Sequence, residues 1–120
     1  MITEDYVSFE TAKLLKEKGF DEKCRALYTF WFDEVEGPKE DETENWNIEP
    51  KYFSAPTLQM AMKWLRESHN MFIRIIQSHI DYCIYEVYYD RAKHYESRES
   101  YNSYEEACEA AIKYCLENLI

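Results

Sequence analysis

Between Asp33 and Glu49 the chain carries eight carboxylates, Asp33, Glu34, Glu36, Glu40, Asp41, Glu42, Glu44 and Glu49, against a single base, Lys39. This run holds −7 of the formal net charge of −10, and the other 103 residues only −3. Two kinds of chemistry suit such a cluster. Asp41, Glu42 and Glu44 offer hard oxygen ligands, but the D-x-D-x-D-G spacing of a calcium loop is missing, and no metal site is expected. Electrostatic recognition is the other. Glu34, Glu36, Glu40, Asp41, Glu42 and Glu44 then form a surface for a basic partner, with Trp46 as its aromatic anchor. The plainer reading of the same residues is a solvated loop whose charges keep sheet edges from pairing.

The remaining reactive side chains form no catalytic constellation. His69, His79 and His94 lie ten and fifteen residues apart, so none makes the i, i+4 pair of a helical zinc site. His69, near a helix end, reads as compensation of the helix dipole. The four cysteines, Cys24, Cys83, Cys108 and Cys115, include no Cys-x-x-Cys pair. Cys108 and Cys115 share a helix face about 10 Å apart, too far for a disulfide, so reduced and buried thiols are expected. Seven of the eleven tyrosines, Tyr82, Tyr85, Tyr88, Tyr89, Tyr95, Tyr101 and Tyr104, gather within residues 82–104. Strand tyrosines mostly bury the ring and hydrate the hydroxyl. A stacking platform for single strands would need basic flanks, and acids interleave with Arg74, Arg91, Lys93 and Arg98. Two glycines leave no room for a phosphate loop, and no nucleophile elbow is present. No cofactor is expected, and a small-enzyme reading has no supporting motif.

These residues must be positioned by a domain of ordinary size. A chain of 120 residues with 17% aromatics reads as one domain, residues 1–120, with an acidic hairpin tip at about 33–49. A pI near 4.7 disfavours direct duplex nucleic-acid binding and anionic membrane surfaces, and fits a protein partner of basic character. Met1 to Asp5 has no basic region and no apolar stretch follows, so a cytoplasmic location is expected. No apolar run approaches the length of a membrane span.

Periodicity and capping signals predict the elements. A first helix runs from about Phe9 to Lys18, with Ser8 as N-cap and Gly19 past its end. A strand at Arg25–Asp33 is apolar on both faces and therefore central. Gly37-Pro38 marks a turn, so residues 26–53 read as a hairpin with a mobile acidic tip and a short return at Trp46-Asn47-Ile48. A second helix runs from about Pro56 to Ser68 with Pro56 at its first position, and Asn70 stops it. Strands at Met71–Gln77 and Tyr82–Arg91 follow, with an edge strand near His94-Tyr95. Ser103-Tyr104-Glu105-Glu106 is a capping box opening a last helix striped by Ala107, Cys108, Ala111, Ile112, Cys115 and Leu116. The expected fold is α+β in the order α-ββ-α-ββ-α: a four-stranded, mainly antiparallel sheet with helices packed on one face. The two strand-strand-helix units suggest a weak structural repeat. Were the fourth strand at the sheet edge, it would offer a route to a homodimer.

Four segments carry a resemblance: Leu15 to Phe20, Ser54-Ala55-Pro56-Thr57-Leu58-Gln59-Met60-Ala61, Lys63-Trp64-Leu65-Arg66-Glu67-Ser68-His69-Asn70, and Tyr101 through Ala107. In these the chain resembles small uncharacterised proteins found in gut-anaerobe genomes, prophages and mobile elements. The resemblance implies an α+β fold and a phage or mobile-element context, and no activity. It makes Arg66, Glu67 and His69 a second candidate surface, and the acidic segment departs from its pattern. The function expected is a non-enzymatic protein-interaction module. The alternative is an acidic inhibitor, anti-CRISPR-like or DNA-mimic, of a host nucleic-acid-binding complex.

Overall fold

The structure is a computed structural model that describes residues 2–120, without the side chains of Ser78 and His79. The question of a ligand or catalytic role for His79 therefore lies outside the described residues. The fold is α+β, with elements α1 (Phe9–Glu17), β1 (Cys24–Trp31), β2 (Glu34–Glu44), β3 (Tyr52–Ser54), α2 (Leu58–His69), β4 (Phe72–His79), β5 (Tyr82–Tyr89), β6 (Lys93–Glu96) and α3 (Tyr104–Tyr114). The chain divides into two compact units, Met1–Gln59 and Met60–Ile120. Instead of one four-stranded sheet, there are two three-stranded antiparallel sheets, ordered β2-β1-β3 and β4-β5-β6.

In the first unit, Ser8 caps α1 by accepting from the Thr11 amide at 3.2 Å. The helix ends in a Schellman motif: Gly19 takes φ +90°, its amide returns to the Lys16 carbonyl, and the Phe20 amide returns to that of Leu15. The accompanying apolar contact is supplied by Phe20, which is fully buried. Phe9 of α1 packs its ring against Tyr28, Phe30 and Phe53, at centroid distances of 5.6, 6.1 and 5.1 Å. β1 is the central strand, buried from Ala26 through Thr29, as its two apolar faces require.

The acidic stretch is a paired strand, where the tip of a hairpin is expected. It is β2, eleven residues paired along the whole of β1 from Trp31–Glu34 to Cys24–Glu44. The turn joining them is Phe32-Asp33, both residues left-handed (φ +50° and +62°), the backbone of a tight hairpin turn. Phe32, which the expected strand Arg25–Asp33 includes, is 94% exposed at that turn. Gly37-Pro38, expected to turn the chain, lies inside the strand, joined by a cis peptide bond, where the register shifts between Leu27 and Thr29. The chain then crosses to the other side of β1. Trp46–Ile48 forms a single 3-10 turn rather than a strand, and β3 pairs with β1 from Leu27–Ser54 to Thr29–Tyr52.

α2 begins two residues later than expected. Pro56 precedes it, and its carbonyl accepts from the Val7 amide at 3.0 Å while the Leu58 amide donates to Asp5 at 2.9 Å. Asn70 stops the helix in a left-handed conformation, φ +54°.

In the second unit, β4, β5 and β6 form a simple meander. Ile73, Ile75, Tyr85, Val87 and Tyr95 share the face against which α3 packs. Ala107, Cys108, Ala111, Ile112, Cys115 and Leu116 are all fully buried, the stripe that the sequence predicts. Ser103 accepts from the Glu106 amide at 3.1 Å, and the Glu106 carboxylate reaches back to the Asn102 amide at 3.1 Å. The structural repeat does not hold at the level of topology, because the first strand is central in one sheet and the second strand is central in the other.

Candidate functional site: an acidic edge strand

β2 sits at the edge of its sheet, and every one of its residues is exposed. Its pairing fixes where the carboxylates go. Glu40 and Glu44 stand opposite Ala26 and Cys24, whereas Glu34 and Glu36 stand opposite Trp31 and Thr29, which belong to the other face of β1. The register shifts on either side of Lys39–Glu40 allow both faces of one strand to be acidic, with Asp41 and Glu42 at the second irregularity. The result is a ribbon acidic on both faces, with one row of backbone groups turned away from β1.

Only part of this charge is tied down. Glu40 accepts from the Tyr6 hydroxyl at 2.7 Å and lies 3.9 Å from the Arg25 guanidinium. That hydrogen bond raises the Tyr6 hydroxyl above its usual pKa range, with burial and the charge of Glu40 adding to it. Asp41 accepts from the Glu42 amide at 2.7 Å. Trp46 is placed differently from an exposed anchor. It is half-buried, its indole N–H donates to the Cys24 carbonyl at 3.0 Å, and its ring meets Tyr52 edge-on at 6.0 Å. Trp46 therefore fixes the end of the acidic strand to the sheet.

The residue that sequence reading missed is Lys16. Its ammonium donates to the carbonyls of Glu49 and Tyr52 at 2.6 and 2.7 Å and lies over the Phe53 ring at 4.5 Å. Burial lowers its pKa, and the nearby Glu49 works against that shift. A lysine in the last turn of a helix reads as dipole compensation, and nothing local reveals that its stem spans to a loop over thirty residues away. Asn47 completes the support: its amide group donates to Phe20 and accepts from the Ser54 backbone, both at 2.8 Å.

The second candidate surface lies in the other unit. Arg66 is exposed, and Glu67 makes a surface ion pair with Lys63 at 3.8 Å. His69 is half-buried with its ring edge-on to Trp64 at 4.7 Å. It lines an open groove of about 620 Å³ together with Asn70, Tyr89, Asp90, Arg91, Lys93 and Asn118. Arg66 and Glu67 do not line it.

The tyrosines divide. Tyr85, 4% exposed, packs with Tyr95, Tyr101 and Tyr114, and Tyr95 and Tyr114 stack at 3.9 Å. Burial pushes the Tyr85, Tyr101 and Tyr114 hydroxyls up in pKa. On the opposite face of this sheet Glu86 accepts from Tyr88 at 2.6 Å and contacts the His94 ring nitrogen at 3.1 Å. All four cysteines are free and buried. Among the described residues no group of three or more His, Cys, Asp or Glu is placed to hold a metal ion. No helix among the described residues is long and apolar enough to cross a membrane.

No protein-family model matches the chain, and no curated protein or solved structure is found to be similar to it.

Proposed function

We propose that the protein is a non-enzymatic interaction module of phage or mobile-element origin, working in the host cytoplasm, and that it binds a basic protein through β2. One observation carries the reading: an edge strand of eleven exposed residues with six carboxylates distributed over both faces. An extended segment added to a sheet edge alternates its side chains above and below the sheet. A partner segment with Lys or Arg on both faces matches β2, and β2's own acidity keeps a second β2 from pairing there. The Ala55-Pro56-Thr57 and Lys63-Trp64-Leu65-Arg66-Glu67 segments support the mobile-element origin through their resemblance.

Charge density separates this from the acidic-inhibitor reading. β2 carries six acids and Lys39, a net −5. At ~3.4 Å per residue the strand is about 34 Å long, or one net charge per ~7 Å. Duplex DNA carries one per ~1.7 Å of axis. A ribbon about four-fold more dilute than a duplex suits a basic protein segment better than a groove shaped for DNA. The expected homodimer route is unavailable, since β5 has β4 on one side and β6 on the other.

The test neutralises Glu34, Glu36, Asp41, Glu42 and Glu44 to Gln or Asn and spares Glu40, which Tyr6 and Arg25 hold. Exposed pairs contribute about 0.2–1 kcal/mol each, so five together weaken binding by roughly five-fold to a few thousand-fold. Capture from nuclease-treated host lysate at physiological salt should lose its basic partner with the neutral variant. Undiminished capture by a variant with unchanged circular dichroism refutes the proposal.

A further inference from the structure

We propose that the groove at the end of α2 is a binding site for an organic phosphate, independent of the role of β2. The groove, about 620 Å³, is built entirely within the second unit from the α2–β4 junction, the β5–β6 turn and the C-terminal segment. Its size falls in the range of small-molecule sites, ~300–1,000 Å³.

Its charge is opposite to that of the chain. Arg91 and Lys93 supply two cations and Asp90 one acid, which gives the lining a net +1 in a protein of −10. Asp90 is engaged by Lys93 at 3.1 Å, which leaves Arg91 as the lining cation outside that ion pair. Arginine presents a planar fork that matches phosphate oxygens two at a time. The carboxamides of Asn70 and Asn118 and the His69 imidazole add polar groups, and the Tyr89 ring, Met71 and Leu119 give the organic body an apolar wall. Bare phosphate fills a small part of this volume, and that argues for an ester.

The backbone presents these groups in a fixed way. Asn70, Asp90 and Arg91 have φ of +54°, +46° and +69°, and all three line the groove. Asn and Asp are favoured in this conformation, whereas arginine is not, so turn geometry alone does not select Arg91. Lys93 follows at the start of β6, on the same short connection, and lines the same groove.

The experiment is amide NMR titration of the full chain at constant ionic strength with adenosine monophosphate, inorganic phosphate, acetate and adenosine. Adenosine monophosphate should give saturable shifts at Asn70, Asp90, Arg91, Lys93 and Asn118, inorganic phosphate weaker shifts at the same amides, and acetate and adenosine little. Arg91→Asn keeps the left-handed turn and should weaken adenosine monophosphate about ten-fold. Asp90→Asn, equally compatible with the turn, should tighten it several-fold by removing the acid among the described lining residues and releasing Lys93. The proposal is overturned by the absence of saturation below about 10 mM, by acetate or adenosine matching the phosphates, by shifts outside the groove, or by an Asp90→Asn variant that binds no tighter.

Discussion

Replacing Gly37 with alanine separates an ordered acidic strand from a floppy acidic loop. Gly37 has φ +120°, and a Cβ built there meets the Leu27 carbonyl oxygen at 2.7 Å and the Tyr28 Cα at 3.2 Å. Both are backbone atoms of the central strand, so no side-chain rotation relieves the clash. An L-residue held at a left-handed backbone costs about 1–2 kcal/mol. Moving β2 outward to accommodate the methyl group weakens the flanking ladder hydrogen bonds, which contribute about 1 kcal/mol each. The expected loss is therefore roughly 2–4 kcal/mol, equivalent to a fall in Tm on the order of 10 °C for a chain of this length. Urea denaturation followed by tryptophan fluorescence measures it, since Trp31 and Trp46 lie at the two ends of the β1–β2 pairing. In a mobile loop the same substitution restricts the unfolded chain and stabilises by about 0.4–1 kcal/mol. An unchanged or raised midpoint would refute the pairing of β2 with β1.

Three other outcomes follow from the contacts described. Lys16→Met leaves the Glu49 and Tyr52 carbonyls without their charged donor and should cost about 1–3 kcal/mol in urea midpoint experiments, with the loss confined to the first unit. The Glu86 carboxyl is held below its usual range chiefly by the Tyr88 hydroxyl, with His94 and Arg74 adding to the effect. A depressed carboxyl pKa gives stability that is present above the ordinary value of about 4.3 and is lost as pH falls through the folded value. Glu86→Gln should therefore lose less stability than the parent between about pH 5 and pH 3, and parallel urea midpoints for the two proteins across that range would contradict this. Burial pushes the Cys24 and Cys115 thiols up to about 12 and Cys108 to about 11, so iodoacetamide at pH 8 should label these three only after unfolding. Rapid native-state alkylation of any of them, read by mass spectrometry, would count against their burial.

Helices were the most legible part of the chain. Ser8, Gly19 and Ser103 act through neighbours within five residues, so their capping chemistry is local and readable. The apolar stripe of α3 and the two-faced burial of β1 also follow from spacing alone. β2 was illegible for a physical reason: its pairing energy comes from the backbone ladder, and its side chains carry charge where a buried strand would carry apolar alternation. The real turn, Phe32-Asp33, contains neither Gly nor Pro, while Gly37-Pro38 looks like a turn and serves as an irregularity inside the strand. β3 is hard to read because it is only three residues long, whereas the edge strand expected near His94-Tyr95 is β6. At the site, the carboxylates themselves were plain in the sequence. Their distribution over two faces was not, because it depends on register shifts against β1. Lys16 and the groove around Arg91 depend on contacts between residues far apart in the chain, which no local pattern announces.

Docking of a basic partner on the outer edge of β2 would change how its backbone amides meet solvent. Backbone amide hydrogen exchange of β2, measured in the free protein and in complex with the captured partner, tests it most directly. The β2 amides facing away from β1 should exchange at near-unfolded rates in the free protein and become protected in the complex. Protection that appears elsewhere, with the outward β2 amides unchanged, contradicts it.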